Sequence, residues 1–483
     1  MTIGWRFDNT YSKLPDPFIS NISPIPVKSP ELIILNDNLG KQLGLNFSLI
    51  SKKELSNLFS GNSLPEGSKS IAQAYAGHQF GHFTMLGDGR AVLMGEHISK
   101  NNERFDIQFK GSGQTPFSRN GDGRAALGPM LREYIISEAM HGLNIPTTRS
   151  LAVVKTGEDV VRENILQGAI LTRVASSHLR VGTFQYVAMR KNDSELKTLV
   201  DYTINRHYPN IKKSKNIALD LLKILIELQI DLVVNWMRVG FIHGVMNTDN
   251  TSISGESFDY GPCAFINSYD PNKVYSSIDH NGRYSFGNQP KIIKWNITRF
   301  AESLLPIINH NKDKSIILAQ SIIDKFDEIW SDKYYLMMLK KIGINSNNIK
   351  LYSLVDDLLF IMRKNNMDYT NTFCSLSHKN FKVSNIVNNI DFIKWKKRRD
   401  LIMNNNNSIE ESMLLMKKSN PIVIPRNNLV QKAIEEAVNG DTALINKLLE
   451  LYSKPYKYND GLDEFTTPPS SDFEKCFQTY CGT

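Results

Sequence analysis

Cysteine is scarce in this sequence, and the chain opens without a recognisable leader. Four cysteines in 483 residues, Cys263, Cys374, Cys476 and Cys481, are too few for a disulfide framework. Residues 1–8 form neither an apolar signal region nor an Arg-rich amphipathic presequence. We therefore expect a cytoplasmic protein with reduced thiols. Cys476 and Cys481 are the candidate redox residues, because both lie close to the end of the chain, where a tail could move.

A long uncharged hydrophobic run is also absent. The longest apolar stretch, 217–239, carries Asp220, Lys223, Glu227 and Asp231 at helical spacing. A membrane-spanning helix would have to bury these charges, which is costly. The stretch therefore predicts a mostly buried helix with one polar stripe, and we expect no membrane association.

The excess of positive charge is modest, at +8, and no basic motif interleaved with aromatic residues accompanies it. Lysine is abundant together with asparagine and isoleucine, a bias typical of an AT-rich genome, so we expect no nucleic-acid partner. The 41% hydrophobic and 22% charged residues are ordinary for a globular protein with a sizeable core. The length suggests roughly two to four domains or lobes.

Two apolar runs, 83–86 and 90–96, bracket Gly87-Asp88-Gly89, which predicts a β-hairpin with its turn at the glycines. The next stretch, 105–110, alternates apolar and polar residues and predicts a half-buried strand with Lys110 at its end, on the polar face. A helix is expected to begin near Pro129 and to end at Gly142. From about residue 195 onward the pattern is mostly helical.

Lys110 and Glu133 are candidates for an ion pair at a nucleotide site. A lysine that ends a strand over a cleft can neutralise phosphates, provided that an acid holds it in place. Glu133 lies in the following helix, and a strand lysine paired with a helix glutamate is an arrangement of kinase-type enzymes. The alternative is a solvated lysine and an unrelated surface glutamate.

Two copies of Gly-Asp-Gly-Arg, at 87–90 and 121–124, flank the strand that carries Lys110. Backbone N–H groups of such turns can bind phosphates, although a single copy is usually only a hairpin. Arg173 and Arg180 are seven residues apart, which would put both on one face if the intervening stretch is helical. Two guanidinium groups together favour an oxyanion site; the alternative is a pair of surface arginines.

The segment 243–250, followed by 258–261, is similar to the catalytic and metal-binding segments of kinase-type phosphotransferases. Such enzymes place a base Asp two residues after a His, but the residue two positions after His243 is Val245, which cannot accept a proton. Asp249 is the nearby acid. It is either a proton acceptor or a turn cap, and the short match by itself is compatible with coincidence.

Asn250 and Asp259 are the candidate metal ligands. An amide oxygen and a carboxylate are hard ligands that suit Mg²⁺ or Mn²⁺, with nucleotide phosphates completing the coordination shell. Metal ligands without the usual base indicate a nucleotide-using enzyme with altered chemistry.

With these residues assembled, the chain resembles the selenoprotein O family, the pseudokinase-like protein adenylyltransferases. The resemblance covers nearly the whole chain and rests on long, unusual motifs at 76–81, 86–91, 108–113, 119–131, 171–175, 243–250, 259–262 and 480–483.

The resemblance implies an α+β, protein-kinase-like two-lobed fold, with a small β-rich N-lobe that contains a key helix and a larger, mainly helical C-lobe. We expect N-terminal and C-terminal extensions around this core. The predicted parts are an N-terminal extension (1–70), a nucleotide-binding N-lobe (71–195), a C-lobe with the catalytic and metal-binding segment (196–400), a helical region (401–453) and a tail (454–483).

The resemblance also implies that ATP lies flipped relative to a protein kinase, so that AMP passes to a Ser, Thr or Tyr hydroxyl of a target protein and pyrophosphate leaves. Asp249 would accept the proton, while Asn250 and Asp259 would hold Mg²⁺ or Mn²⁺. Glu133 would support Lys110. The residues that would bind the nucleotide are Gly87, Gly89, Arg90, Lys110, Asp122, Gly123, Arg173, Arg180 and Asp259.

Two further features follow from the resemblance. Some members carry a selenocysteine near the C-terminus, and its counterpart here is Cys481, an ordinary thiol whose partner, Cys476 or Cys263, stays open. Two functional alternatives also stay open. One is transfer of UMP from UTP with Mn²⁺, and the other is a nucleotide-binding pseudokinase that acts as a scaffold or redox sensor. We expect a monomer.

Overall fold

The structure is a computed structural model that describes residues 3–378, 381, 384–406 and 408–480. The candidate redox residue Cys481 lies outside the described residues. The chain folds into a mixed α/β structure, in which the strands lie mainly in the first 175 residues and helices dominate the remainder.

The strands are short at the edges of the main sheet and long in its centre. They are β1 (Ile19–Asn21), β2 (Glu31–Leu35), β3 (Ile71–Gln73), β4 (Ala76–Gln79), β5 (His82–Met85), β6 (Ala91–Ile98), β7 (Arg104–Lys110), β8 (Ala125–Ala126), β9 (Arg149–Val161), β10 (Ile165–Ala175), β11 (Phe241–Ile242) and β12 (Ala264–Phe265).

The main sheet is antiparallel and has the strand order β1-β3-β6-β7-β10-β9-β2, with β8 paired to β10. The pairs β4–β5 and β11–β12 are separate two-stranded sheets. In the central strand β7, Gln108 lies opposite Arg173 of β10, and Lys110 lies opposite Leu171. Directly opposite residues point to the same face, so Gln108, Lys110 and Arg173 share one face of the sheet.

The helices follow the strands and supply most of the second half of the molecule. They are α1 (Asp37–Leu43), α2 (Lys52–Phe59), α3 (Leu127–Gly142), α4 (Val181–Met189), α5 (Asp193–His207), α6 (Ile217–Val239), α7 (Gln289–Ile308), α8 (Lys312–Ile323), α9 (Phe326–Lys341), α10 (Tyr352–Lys364), α11 (Tyr369–Ser377), α12 (Ser384–Val387), α13 (Ile390–Asn406), α14 (Ile409–Ser419), α15 (Asn427–Val438), α16 (Ala443–Tyr452), α17 (Asp463–Thr466) and α18 (Ser471–Cys476).

Both faces of β7 are covered. Ile107 and Phe109 pack into a small core together with residues of α1 and α2, whereas the opposite face of the sheet meets α3 and the large core. Asp106, Gln108 and Lys110 are therefore buried as well. The prediction of a half-buried strand is wrong for this reason, although the strand and its end at Lys110 are confirmed.

The predicted hairpin around 87–89 is wrong. The two apolar runs do form strands, but β5 pairs with β4 and β6 pairs with β3 and β7. Asp88 explains the difference, since its buried carboxylate accepts hydrogen bonds from the Gln73 N–H (3.1 Å) and from Nε2 of Gln108 (3.3 Å). These bonds draw the turn into the sheet instead of letting it project.

The helix α6 has the predicted bounds. Its charged residues Asp220, Lys223, Glu227 and Asp231 are partly or fully exposed, whereas Arg238 and most of its apolar residues are buried. Gly240 ends it in the left-handed conformation (φ +77°), which a residue with a side chain rarely adopts. The chain then turns directly into β11 and the segment 243–250. Over the part of the chain that the structure describes, no helix is both long and apolar enough to cross a membrane.

Candidate active site

Four charged side chains, from two strands, a helix and a loop, meet at the end of β7. We call them the ion cluster: Lys110, Glu133, Arg173 and Asp259. Nζ of Lys110 lies 2.7 Å from Oε2 of Glu133 and 2.5 Å from Oδ1 of Asp259. Arg173 also contacts both acids, through Nε to Glu133 and through an Nη atom to Asp259 (2.8 Å). The cluster contains two cations and two anions, so its formal charges balance.

The acids of the ion cluster are held ionised. Burial raises the pKa of Glu133, but Arg173 and Lys110 outweigh it and leave the pKa below its usual value. The same competition places the pKa of Asp259 well below its usual range, because Lys110, Arg173 and Arg90 all favour the carboxylate. Arg90 of the first glycine turn therefore acts electrostatically on the cluster.

Arg173 and Arg180 reach the same region, but not from one helix. Arg173 belongs to β10, residues 176–180 form a loop, and α4 begins at Val181. The stretch between the two arginines is therefore not helical, and the condition for a shared helical face is not met. Arg180 is fixed between two rings, with its guanidinium carbon 4.0 Å from the ring centre of Tyr75 and 4.8 Å from that of Phe258.

Arg180 also connects the first glycine turn to the segment 243–250. It donates a hydrogen bond to the backbone carbonyl of Asp249 (3.1 Å), and another of its nitrogens lies 4.0 Å from Oδ1 of Asp88. Burial raises the pKa of Asp88, and Arg180 opposes that shift. One guanidinium thus bridges two buried aspartates that lie far apart in the sequence.

The first glycine turn is packed against the segment 115–118. A Cβ atom on Gly87 would lie 2.6 Å from a ring carbon of Phe117, and one on Gly89 would lie 2.8 Å from the carbonyl oxygen of the same residue. Oγ1 of Thr115 donates to the carbonyl of Asp88 (2.6 Å). The glycines are needed here for close backbone approach as well as for the turn itself.

Asp122 of the second glycine turn lies on the surface, whereas Gly123 is buried. Asp122 is 45% exposed and pairs with Arg162 (2.9 Å), which lowers the pKa of its carboxyl. Gly123 packs against the backbone of Gly113, where a Cβ atom would overlap with it. Among the described residues, no contact joins Asp122 or Gly123 to the ion cluster.

The segment 243–250 begins at buried His243, whose Nε2 lies 3.0 Å from the carbonyl oxygen of Phe258. This contact links the segment to the turn that carries Asp259. Val245 is buried, and a 3-10 helix (Thr248–Asn250) presents Asp249. Asp259 itself has a left-handed backbone (φ +67°), which is uncommon for a residue with a side chain.

Asp249 is enclosed by glycines. A Cβ atom on Gly77 of β4 would lie 2.6 Å from Cγ of Asp249, and one on Gly182 of α4 would lie 3.3 Å from its Cα. No hydrogen bond from the described residues reaches its buried Oδ1. Burial raises the pKa of Asp249 to about 6, although Arg180 opposes the shift. A carboxyl in this state can accept a proton near neutral pH.

Asn250 and Asp259 offer a donor set that fits a divalent ion. Nδ2 of Asn250 donates to the carbonyl of Val245 (3.0 Å), which fixes the amide, and no described residue donates to its Oδ1. In the described part of the chain, no group of three or more His, Cys, Asp or Glu side chains is arranged to hold a metal. A metal here would thus rely on nucleotide phosphates for further ligands, as Mg²⁺ commonly does.

Sequence reasoning assigned no role to Gly77, Tyr75, Asp88 and Phe258. Asp88 lies inside the glycine turn, and Gly77 lies inside a strand. A glycine within a strand often marks a close approach of another part of the backbone, which was the available indication for Gly77. Tyr75 and Phe258 gave no such indication, because their contact with Arg180 depends on the tertiary fold.

Comparison with known proteins identifies the family of the chain. The family model described as "Protein adenylyltransferase SelO" matches residues 2–453. A protein of Pelagibacter ubique named "Protein nucleotidyltransferase YdiU" is 60% identical, with all of both chains covered. Proteins of the same name from Nitrosococcus oceani and Clostridium beijerinckii are each 52% identical, over 100% and 99% of this chain and 98% of their own. The chain therefore belongs to the SelO family and is a protein nucleotidyltransferase.

Proposed function

We propose that this protein transfers AMP from ATP to Ser, Thr or Tyr hydroxyls of target proteins, with release of pyrophosphate. The observation that carries the proposal is the placement of Asp249, a buried carboxyl with a pKa of about 6 that Arg180 contacts through the backbone, with Asn250 directly beside it. Val245, where a kinase holds its base, is an apolar residue. The family description supports the same transfer.

In the proposed step, Asp249 takes the proton of the acceptor hydroxyl as its oxygen attacks the α-phosphorus. The bond from the α-phosphorus to the bridging oxygen breaks, and pyrophosphate leaves with the electron pair. Lys110 and Arg173 offset the charge that develops on the leaving group. A divalent ion held by Asn250 and Asp259 would supply further positive charge at the phosphates.

The bound nucleotide is also expected to change the ion cluster. Asp259 uses Oδ1 for Lys110 and Arg173. Phosphates that enter the site compete with Asp259 for Lys110 and Arg173. The carboxylate oxygens of Asp259 then become free to bind the metal. The same residues would thereby serve both nucleotide and metal binding.

The protein-kinase-like division into two lobes belongs to the same proposal. An antiparallel sheet with the ion-paired Lys110 and Glu133 lies ahead of a helical part that carries Asp249, Asn250 and Asp259. This order supports an N-lobe of 71–195 and a C-lobe of 196–400. We also propose that the protein acts as a monomer.

The redox role of the tail is proposed for Cys481, with Cys476 or Cys263 as partner. Cys476 is exposed, and burial raises the pKa of Cys263 to about 11, which disfavours its thiolate. If Cys481→Ser leaves the transfer activity equally sensitive to oxidant and reductant, this role is excluded.

The chemical group that becomes attached to target proteins identifies the reaction. The protein is incubated with a bacterial lysate, a divalent metal and equal concentrations of ATP and UTP, and modified peptides are mapped by mass spectrometry. AMP on hydroxyl side chains supports the proposal, and UMP as the dominant adduct supports the UTP alternative. Phosphate adducts overturn it in favour of a kinase. If the protein binds nucleotide but no lysate peptide is modified, the result supports a pseudokinase scaffold.

A further inference from the structure

The hairpin β4–β5 has an open outer edge. Its two-residue turn, Phe80-Gly81, has positive φ at both positions (+50° and +89°), as a type I′ turn requires. In such a hairpin, the two residues that flank the turn form a hydrogen-bonded pair. The following pairs alternate, the next one being non-hydrogen-bonded, and in a non-hydrogen-bonded pair the backbone N–H and carbonyl groups point outward. The outward-pointing backbone groups of β5 then belong to Phe83 and Met85.

Two observed bonds fix this assignment. The Leu86 N–H donates to the carbonyl of Tyr75 (2.9 Å), so that pair is hydrogen-bonded and the neighbouring pair, Ala76 and Met85, is not. On the β4 side, the His78 N–H points away from β5 and donates to Thr248 Oγ1 (2.7 Å). On the β5 side, no hydrogen bond from the described residues reaches the N–H or carbonyl of Phe83 or Met85.

The side chains of this edge do not block it. Phe83 is 37% exposed and Met85 is 50% exposed, and the strand contains neither proline nor an acidic, lysine or arginine residue. Natural proteins usually protect an exposed strand edge with such residues, because it can otherwise pair with another chain. An apolar edge that is left open is suited to receive an extended peptide.

The hairpin also lies where a protein acceptor must arrive. Its inner strand packs on the catalytic segment, with Gly77 against Asp249 and His78 bonded to Thr248. Beyond Met85 the chain enters the glycine turn 87–89. A segment that pairs with β5 and continues past Met85 is therefore led to the proposed nucleotide turn.

A cation stands at the other end of the hairpin. A Cβ atom on Gly81 would lie 3.7 Å from the guanidinium carbon of Arg283, which is stacked 5.0 Å from a ring centre of Trp295. Arg299 stacks on the same ring but is paired with Glu302 (2.6 Å). Arg283 forms no ion pair with a carboxylate of the described residues.

We propose that the acceptor segment of a protein substrate binds as an added strand on β5. Its backbone pairs with Phe83 and Met85, an acidic side chain faces Arg283, and the acceptor hydroxyl lies beyond Met85. From Gly81 to Gly87 the chain advances six residues, so the acid lies on the order of six residues from the hydroxyl. The inference rests on the proposed protein-modifying activity and specifies how its substrate is recognised.

The test uses the full chain, α-labelled ATP and a soluble library of Ser-, Thr- and Tyr-containing peptides. Met85→Pro removes an outward N–H without removing a bond of the hairpin, and Met85→Ala is its matched control. We expect Met85→Pro to raise KM for the best library peptides about tenfold, since backbone hydrogen bonds are lost. Affinity for ATP, measured without peptide, and thermal unfolding should stay as in the wild type.

Arg283→Gln tests the charge. The wild type should prefer peptides with Asp or Glu over otherwise identical peptides with Asn or Gln, and the variant should lose that preference. If the Met85→Pro variant labels peptides with the KM of the wild type, the outer edge of β5 is not the docking site. A wild type that forms a dimer in light scattering, dissociated by Met85→Pro, also overturns the proposal, because a second copy then covers β5. If the wild type labels no peptide or protein at all, the proposed transfer itself fails.

Discussion

Gly77 of β4 lies directly on the carboxyl group of Asp249, so closely that a Cβ atom at position 77 would be 2.6 Å from Cγ of the aspartate. The two residues are far apart in the sequence, and their contact places the β4–β5 hairpin directly against Asp249, the proposed base. Asp249 is buried, with Gly77 and Gly182 packed against it, and burial is the main cause of its raised pKa. The glycine thus helps to set both the position and the protonation of the proposed base.

Gly77→Ala should therefore impair catalysis more than nucleotide binding. The added methyl group must displace Asp249 or the hairpin, and loss of one well-placed catalytic group typically lowers kcat on the order of a hundredfold. Gly128→Ala is the control, because its Cβ would meet only a side-chain methyl of Ile434 at 3.5 Å. The measurement is the steady-state kcat and KM for the nucleotide of both variants. Equal kcat values in the two would contradict the role given to Gly77.

Asp249→Asn should stabilise the protein while it abolishes transfer. The pKa of about 6 in the folded state lies above the unfolded value of about 3.9, so ionisation of this group opposes folding. The penalty is absent below about pH 4, grows through pH 6 and is complete above it. Denaturant unfolding near pH 8 should show a gain of roughly 3 kcal/mol for the variant, with almost none near pH 4.

Asp259→Asn should show the opposite sign in the same experiment. The pKa of Asp259 lies well below its usual range, since Lys110 and Arg173 outweigh the effect of burial. Its charge therefore favours folding above the unfolded pKa, and the benefit is lost as the pH falls through the folded pKa. If both variants shift stability in the same direction at pH 8, the electrostatic description of the site is incorrect.

The rate of transfer should depend on pH through Asp249. As a base it must be ionised, so kcat is expected to rise with pH through about 6 and then to level off. Initial rates at saturating nucleotide and metal, measured on either side of this range, give the profile. A rate that does not change between pH 5 and 7.5 would mean that another group accepts the proton.

Glu133→Gln should damage both stability and nucleotide binding. The change leaves Lys110 and Arg173 with one anion between them, and removing one partner of a buried ion pair typically costs about 3–5 kcal/mol. Glu138→Gln is a matched control on the same helix, where the partner is Arg149. Only the change at Glu133 should raise KM for the nucleotide; the same increase in both variants would indicate a general effect of α3.

Transfer should require a divalent ion. Chelation is expected to stop the reaction, and Mg²⁺ or Mn²⁺ should restore it in the wild type. Asn250→Ala should need a higher metal concentration for half-maximal rate, because a fixed amide oxygen is lost. Full activity of the wild type in excess chelator would remove the metal role from Asn250 and Asp259.

Part of the site could be predicted from the sequence, because the residues concerned lie in elements that local alternation or helical periodicity defines. Alternation placed Lys110 at the end of a strand, and the following helix contained Glu133; the two side chains form an ion pair in the structure. The helix α6 has the bounds that its apolar and charged pattern predicted. Local periodicity is sufficient in these cases, since each element buries one continuous face.

The remainder depended on tertiary contacts that periodicity does not contain. The Asp-Gly turn was expected to project as a hairpin, but Asp88 is drawn inward by Gln73 and Gln108, which are distant in sequence. The actual hairpin turns at Phe80-Gly81, where a phenylalanine adopts positive φ against the usual preference. Arg173 and Arg180 converge through a strand and a loop, which no helical spacing describes.

The proposed reaction is attack at the α-phosphate with Asp249 as base. The most direct measurement compares ATP labelled at the α-position with ATP labelled at the γ-position, using wild type and Asp249→Asn on the same lysate proteins. We expect protein-bound label from the α-position only with the wild type, and no label with Asp249→Asn. Label from the γ-position on protein, or undiminished α-label with the variant, would contradict it.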